Sequence, residues 1–226
     1  MALFFKNSPV HFSKGTGKML GIRSINSNPL SNPFCQRMRQ VEGFVCADCY
    51  SCRMLETIYK GDCVDAYEAN GRLLSTILLA DSELPVFKND EIIRISAHGE
   101  LINDLHFINI CNIARVNHHA RVALYTKRVN IVHRNMEYVP ENLVLVYSNP
   151  RLNTVAEAPA GFHHVFNVFS TDTTEKINCI PGSGSCKACQ RCYRKDGAVT
   201  ITERLKDAKE SARQGARTRK AMASKA

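Results

Sequence analysis

The sequence has no apolar run approaching the ~20 residues needed to cross a bilayer, which excludes a membrane-spanning helix as its organising feature. Its opening, Met1-Ala2-Leu3-Phe4-Phe5-Lys6, lacks a charged segment followed by a long apolar one. No secretory signal is therefore expected, and the chain is expected in the cytoplasm. No internal sequence repeat is visible, which argues against a solenoid or an array. Acidic residues are in deficit, 21 against 30 Lys and Arg, for a formal net charge of +9. From residue 211 to 226 there is no acidic residue against five basic ones, Arg213, Arg217, Arg219, Lys220 and Lys225. That tail carries over half of the excess and leaves a body of only about +4. It also has no aromatic residue on which a base could stack, so any nucleic-acid contact there would be weak and electrostatic. A solvated, fraying terminus is the plainer reading.

What is abundant is cysteine, ten in 226 residues. A chain of this size with 44% hydrophobic residues buries a core without disulfide staples. Dense cysteine in a reducing compartment points to metal or redox chemistry instead. The late group is Cys179-x6-Cys186-x2-Cys189-x2-Cys192, with Pro181, Gly182 and Gly184 in the intervening loop. Thiolates so close together repel one another unless a cation lies between them, so a four-cysteine metal site is expected. Two separated Cys-x2-Cys knuckles are the usual zinc pattern. Successive x2 spacings resemble ferredoxin runs and favour a [4Fe–4S] cluster, with zinc as the alternative. The early group is Cys35-x10-Cys46-x2-Cys49-x2-Cys52. Three of these as ligands would leave one iron open, a catalytic arrangement. Cys52 as a fourth or replacement ligand would close the site and make it structural. Cys63 and Cys111 fall in helical patterns and read as small core residues.

Apolar periodicity places these groups. Residues 24–33 are rich in Asn, Ser and Pro and read as loop, after a short strand around Lys18–Ile25. Residues 50–79 are helical in pattern, with interruptions expected at Gly61 and Gly71. Then strand and helix alternate: a strand at Ile92–Ser96, a helix at Leu105–Val116, a strand at Arg121–Tyr125 and a helix near Arg128–Met136. Two further strands follow, at Asn142–Tyr147 and His164–Phe169. This spacing predicts an α/β fold, either a partial β/α barrel or an open, mostly parallel sheet, with a cysteine-rich metal loop after it. Four segments result: a loop-rich start over 1–34, an α/β core over 35–175, the metal loop over 176–200, and a basic helical or disordered tail over 201–226. Reactive groups in such sheets gather at the carboxyl ends of the strands. Those ends carry Ser96-Ala97-His98-Gly99-Glu100, Thr126-Lys127 and Ser148-Asn149-Pro150, together a candidate pocket.

A three-cysteine loop after the first strand, with His98-Gly99-Glu100 after the second, resembles the core of the radical S-adenosylmethionine enzymes from about Lys18 to Ser170. The spacing departs from that superfamily's Cys-x3-Cys-x2-Cys; the nearest match is Cys35-x10-Cys46-x2-Cys49 followed by Tyr50. The resemblance implies a [4Fe–4S] cluster on Cys35, Cys46 and Cys49. It also implies S-adenosylmethionine beside His98, Gly99 and Glu100, with Thr126, Lys127 and Ser148 facing the ribose or the substrate. Over residues 15–195 the chain more closely resembles the phage gene-product-88 family. The carriers are Cys46-x2-Cys49-Tyr50, the Ser96–Glu100 turn, Tyr125-Thr126-Lys127, the Asn142–Ser148 strand and the late cysteines. That implies a bacteriophage or prophage origin and action in the host cytoplasm. Three functions stay open: a divergent radical enzyme, a zinc module associated with nucleic acid, and a non-catalytic iron–sulfur protein.

Overall fold

A computed structural model describes residues 8–59, 61–88, 91–179 and 185–206. The basic tail over 211–226 lies outside them, as do Pro181, Gly182 and Gly184 of the late cysteine loop. Among the described residues there are seven strands in one sheet. They are β1 (Ser13–Lys14), β2 (Arg23–Ile25), β3 (Ile92–Ile95), β4 (Arg121–Thr126), β5 (Leu143–Ser148), β6 (His164–Phe169) and β7 (Val199–Arg204). They lie side by side in chain order. Every pairing is parallel except β1 with β2. The sheet is open rather than closed, so the second of the two expected architectures is the observed one.

The helices are α1 (Pro33–Met38), α2 (Tyr50–Thr57), α3 (Asp62–Thr76), α4 (Asp104–Val116), α5 (Val129–Arg134) and α6 (Cys186–Cys189). Side chains alternate across each strand, so the sheet has two apolar faces. One carries Ile25, Ile93, Ile95, Val122, Leu124, Leu143 and Leu145, covered by Leu74 of α3, Phe107 and Ile110 of α4, and Ile131 of α5. The other carries Ile92, Ala123, Tyr125, Val144, Val146, Phe166 and Ile201. Tyr193 and the half-buried Cys179, Cys186 and Cys192 cover that second face. Coverage on both sides explains why β5 reads as a continuous apolar run.

Several expectations need correction. The helical stretch over 50–79 breaks at Gly61, which precedes α3 with φ of +66°. It does not break at Gly71, which lies inside α3. A Cβ there would sit 3.3 Å from Ile102 Cδ1 and 3.6 Å from Ser27 Cβ, so that glycine serves close packing. The strand expected from Lys18 begins only at Arg23, because Gly17–Met19 form a 3-10 turn. β7 runs across the boundary expected at residue 200, so residues 201–204 belong to the sheet. Its alternation with Thr and charged residues hid it: Glu203 is buried among cations, paired with Lys18 and facing Lys206 and Arg94. The loop-rich start is not peripheral either: Asn26, Ser27, Asn28 and Asn32 are all buried. No helix among the described residues is long and apolar enough to cross a membrane.

Candidate functional site

The carboxyl ends of β3, β4 and β5 are built into one polar corner. After β3 the chain turns through Ser96 at φ +58° and Gly99 at φ +77°. The left-handed conformation at Gly99 favours glycine, and a Cβ there would lie 2.2 Å from the Ser27 carbonyl oxygen. The close approach at Gly99 is thus made by the protein's own backbone. Ser27 Oγ donates to the Glu100 carbonyl (3.0 Å), as does Asn32 Nδ2 (2.9 Å). The buried Glu100 side chain accepts three bonds, from the Leu101 N–H (2.9 Å), the Thr126 hydroxyl (2.5 Å) and the Lys127 N–H (2.8 Å). Lys127 Nζ donates to Ser148 Oγ (3.2 Å). The corner opens into a cavity of about 170 Å³ lined by Gly99, Glu100, Lys127 and Ser148.

Cys35, Cys46, Cys49 and Tyr50 line the same cavity. Cys35 sits in α1, whose start is set by Asn32: its side chain accepts from the N–H groups of Phe34 and Cys35, with Pro33 in the first turn. Cys46 follows a clasp to the β5–β6 loop. Phe44 bridges Arg151, the Val45 N–H donates to the Pro150 carbonyl (2.8 Å), and the Leu152 N–H donates to that of Gly43 (2.9 Å). Cys49 immediately precedes α2. Cys52, one turn on, is fully buried and does not line the cavity.

The thiols differ electrostatically. The Cys52 thiol donates to Cys49 Sγ, and this bond, against the opposing effect of burial, lowers the Cys49 pKa to about 6. The same bond, with burial, pushes Cys52 up and keeps it a thiol. Burial first, then the Glu100 carboxylate, pushes Cys35 up, and burial also raises Cys46. Burial disfavours the Lys127 ammonium, yet Cys46, Glu100, Cys35 and Cys49 outweigh it and raise the Lys127 pKa.

Two of the expected cofactor residues take other places. His98 does not line the cavity; its ring packs against those of Tyr50, Tyr59 and Tyr67, and burial lowers its pKa to about 3. Thr126 acts through Glu100, which it holds. Gly99, Glu100, Lys127 and Ser148 do converge. Sequence reasoning missed Asn26, Ser27 and Asn32, which pin the turn and α1. It also missed Arg94, Tyr125, Glu203 and Lys206, which line the same cavity. The alternation of β3 and β4 was the available signal, because Arg94 and Tyr125 fall on the face opposite the helices.

The late cysteines lie on that same face. Cys179 Sγ accepts from Lys18 Nζ at 3.2 Å, and the Tyr125 hydroxyl donates to Cys192 Sγ. Burial is the main cause that raises Cys186, and it pushes Cys192 up to about 11. Ser185 caps α6, where Cys186 is half-buried and Cys189 exposed. Cys111 is a core residue of α4, as expected, and Cys63 is half-buried on α3. Among the described residues, no three His, Cys, Asp or Glu side chains are arranged to hold a single metal ion.

No curated protein matches this chain, and no solved structure does. The profile of one family, described as gene product 88, matches residues 14–222. That match spans nearly the whole sequence, takes in both cysteine groups and every strand from β2 to β7, and shows that the chain belongs to the gene product 88 family.

Proposed function

We propose that this protein is a divergent radical S-adenosylmethionine enzyme, with a [4Fe–4S] cluster on Cys35, Cys46 and Cys49 at the mouth of the cavity. One observation carries the reading: these three cysteines line the same cavity as the polar ends of β3, β4 and β5. The donor set fits a cluster with one open iron. A cubane spreads its ligand sulfurs over several irons, so it does not need the tight grouping that one zinc ion demands. Cys52 is turned into the core and bonded to Cys49, which supports three ligands over four. Bound there, the cluster and cofactor would supply reductive radical chemistry, while the protein positions the reactants and excludes water. Lys127 offsets the negative charge of the thiolates. Glu100 holds the β3 and β4 ends together through three hydrogen bonds at the cavity wall. Ser148 fixes the Lys127 ammonium.

The late cysteines are proposed as a second, closed site, iron–sulfur or zinc, that secures the β6–β7 connection. A zinc module contacting nucleic acid through its tail, and a non-catalytic iron–sulfur protein, are the competing readings.

Anaerobic purification with iron, sulfide and zinc analysis separates them. The proposal expects a brown protein whose reduced cluster signal in electron paramagnetic resonance changes when S-adenosylmethionine is added. Cys49→Ala should abolish that signal, and Cys52→Ala should keep it. A colourless zinc protein, a cluster lost with Cys52→Ala, or a signal indifferent to the cofactor would end the radical-enzyme reading.

A further inference from the structure

Beyond the cysteines, the cavity continues across the face of the sheet opposite the helices, past Arg94, Tyr125, Glu203 and Lys206. Its two buried carboxylates are already engaged. Glu100 accepts three hydrogen bonds, and Glu203 is paired with Lys18. Glu203 also faces Lys206 and Arg94, so one carboxylate answers three cations on this side of the cavity. Lys127 faces the cysteines, whereas Arg94 lies against Tyr125 and Lys206 against Tyr50. The Arg94 guanidinium stacks 3.8 Å over the Tyr125 ring, and its Nε is buried without a hydrogen-bond partner among the described residues. Its NH1 reaches the Met19 sulfur at 3.8 Å, and the guanidinium also interacts with Tyr193. Lys206 Nζ lies over the Tyr50 ring, 4.7 Å from its centre. A buried guanidinium donor without an acceptor is costly, and a cation held against an aromatic face keeps its N–H groups for an incoming anion.

We infer that this cavity binds the anionic group of a small molecule, a carboxylate or a phosphate, between Arg94 and Lys206. Arg94 Nε and its neighbouring terminal nitrogen form the planar fork that such a group accepts from. Lys206, at the Tyr50 side, closes over it. The anion then lies between the Tyr125 and Tyr50 sides of the cavity, which Lys127 and Ser148 also line. To call this molecule the substrate rests on the reading of the cavity as a radical-enzyme site. That an anion binds there does not.

The test is calorimetric titration of the full chain, anaerobic and metal-loaded, at low ionic strength. Inorganic phosphate and succinate are used in separate arms to tell the two anion types apart. One of them should bind at a single site, about 30-fold or more weaker in Arg94→Met, and weakened in Lys206→Met as well. Circular dichroism and cluster absorbance check each variant. Should Arg94→Met fail to fold, Lys206→Met decides. Binding of neither anion, or affinity unchanged in a folded variant, overturns the inference. Anion binding that depends on Arg94 in a protein indifferent to S-adenosylmethionine would keep this site and end the enzyme reading alone.

Discussion

Replacing Glu100 should destabilise the fold in a graded way that depends on how many donors lose their acceptor. The carboxylate is buried and accepts from two backbone N–H groups, of Leu101 and Lys127, and from the Thr126 hydroxyl. In Glu100→Ala the hydroxyl is free to turn, but the two amides are fixed by the chain. Each buried, unpaired N–H costs about 1–3 kcal/mol, so the pair costs about 2–6 kcal/mol. Glu100→Gln keeps one oxygen for Leu101 and Thr126 and turns its NH2 toward the Lys127 N–H. One donor is then lost, at about 1–3 kcal/mol. For a chain of this length each kcal/mol lowers Tm by about 2–4 °C, so the alanine variant should melt about 5–20 °C below the parent and the glutamine variant about half as far. Thermal melts and urea titrations of the metal-free chains measure this without any cofactor. An alanine variant that melts with the parent, or a glutamine variant as damaged as the alanine one, would refute the clasp. The result also governs how Glu100 variants are used in cofactor experiments, because lost binding there must first be corrected for lost structure.

Gly99→Ala should cost at least about 1–2 kcal/mol from the left-handed backbone alone, and more from the approach of the Ser27 carbonyl; an unshifted urea midpoint would contradict the geometry of the turn. His106 is buried in α4, where its Nδ1 accepts from the Ile102 N–H, and burial lowers its pKa from 6.5 to about 4. The imidazole is therefore neutral in the fold. Its contribution is complete above pH 6.5 and is lost as pH falls toward 4, a difference of about 3 kcal/mol. Urea titrations between those pH values should show a slope that flattens in His106→Gln, and equal slopes would exclude His106 as the cause. Cys189 is exposed, so Cys189→Ser should leave the stability of the metal-free protein within about 0.5 kcal/mol. If the late site holds metal, the same change should remove one metal centre and open residues 175–200 to protease; unchanged metal content and digestion would argue against it.

The strands and helices legible in the sequence are those whose apolar residues are sufficient to define them. β4, β5, β6 and α4 are buried along most of their length, and their boundaries in the sequence come within a residue or two of the structure. β7 was not legible, because its buried Glu203 is matched in part by Lys18 and Arg94, far away in the chain. Local pattern carries no trace of such a partner. The same holds for residues 24–33. Asn, Ser and Pro read as loop, and loop they mostly are, yet Asn26, Ser27 and Asn32 are buried because they bond the β3 turn and α1. Burial of short polar side chains reflects tertiary demand for hydrogen bonds, and composition does not report it. At the candidate site, spacing singled out the cysteines and the strand ends. His98 was misplaced because a polar residue in a turn can point either way, and here three tyrosines receive it.

The clasp between residues 43–45 and the β5–β6 loop gives the unusual gap between Cys35 and Cys46 a meaning in length. α1, with Cys35, is tied to the ends of β3 and β4, where Asn32 Nδ2 donates to the Glu100 carbonyl and Phe34 packs under Arg128, whereas the clasp lies beyond the end of β5. The chain between them first winds through α1 at only about 1.5 Å per residue, and the remaining residues carry it to the clasp. Cys35 and Cys46 are therefore held by different strand ends, and the ten residues between them are a span. Deletions in 36–45 should be tolerated poorly however neutral their side chains, and an insertion there should slacken the crossing while leaving the strands beneath it paired.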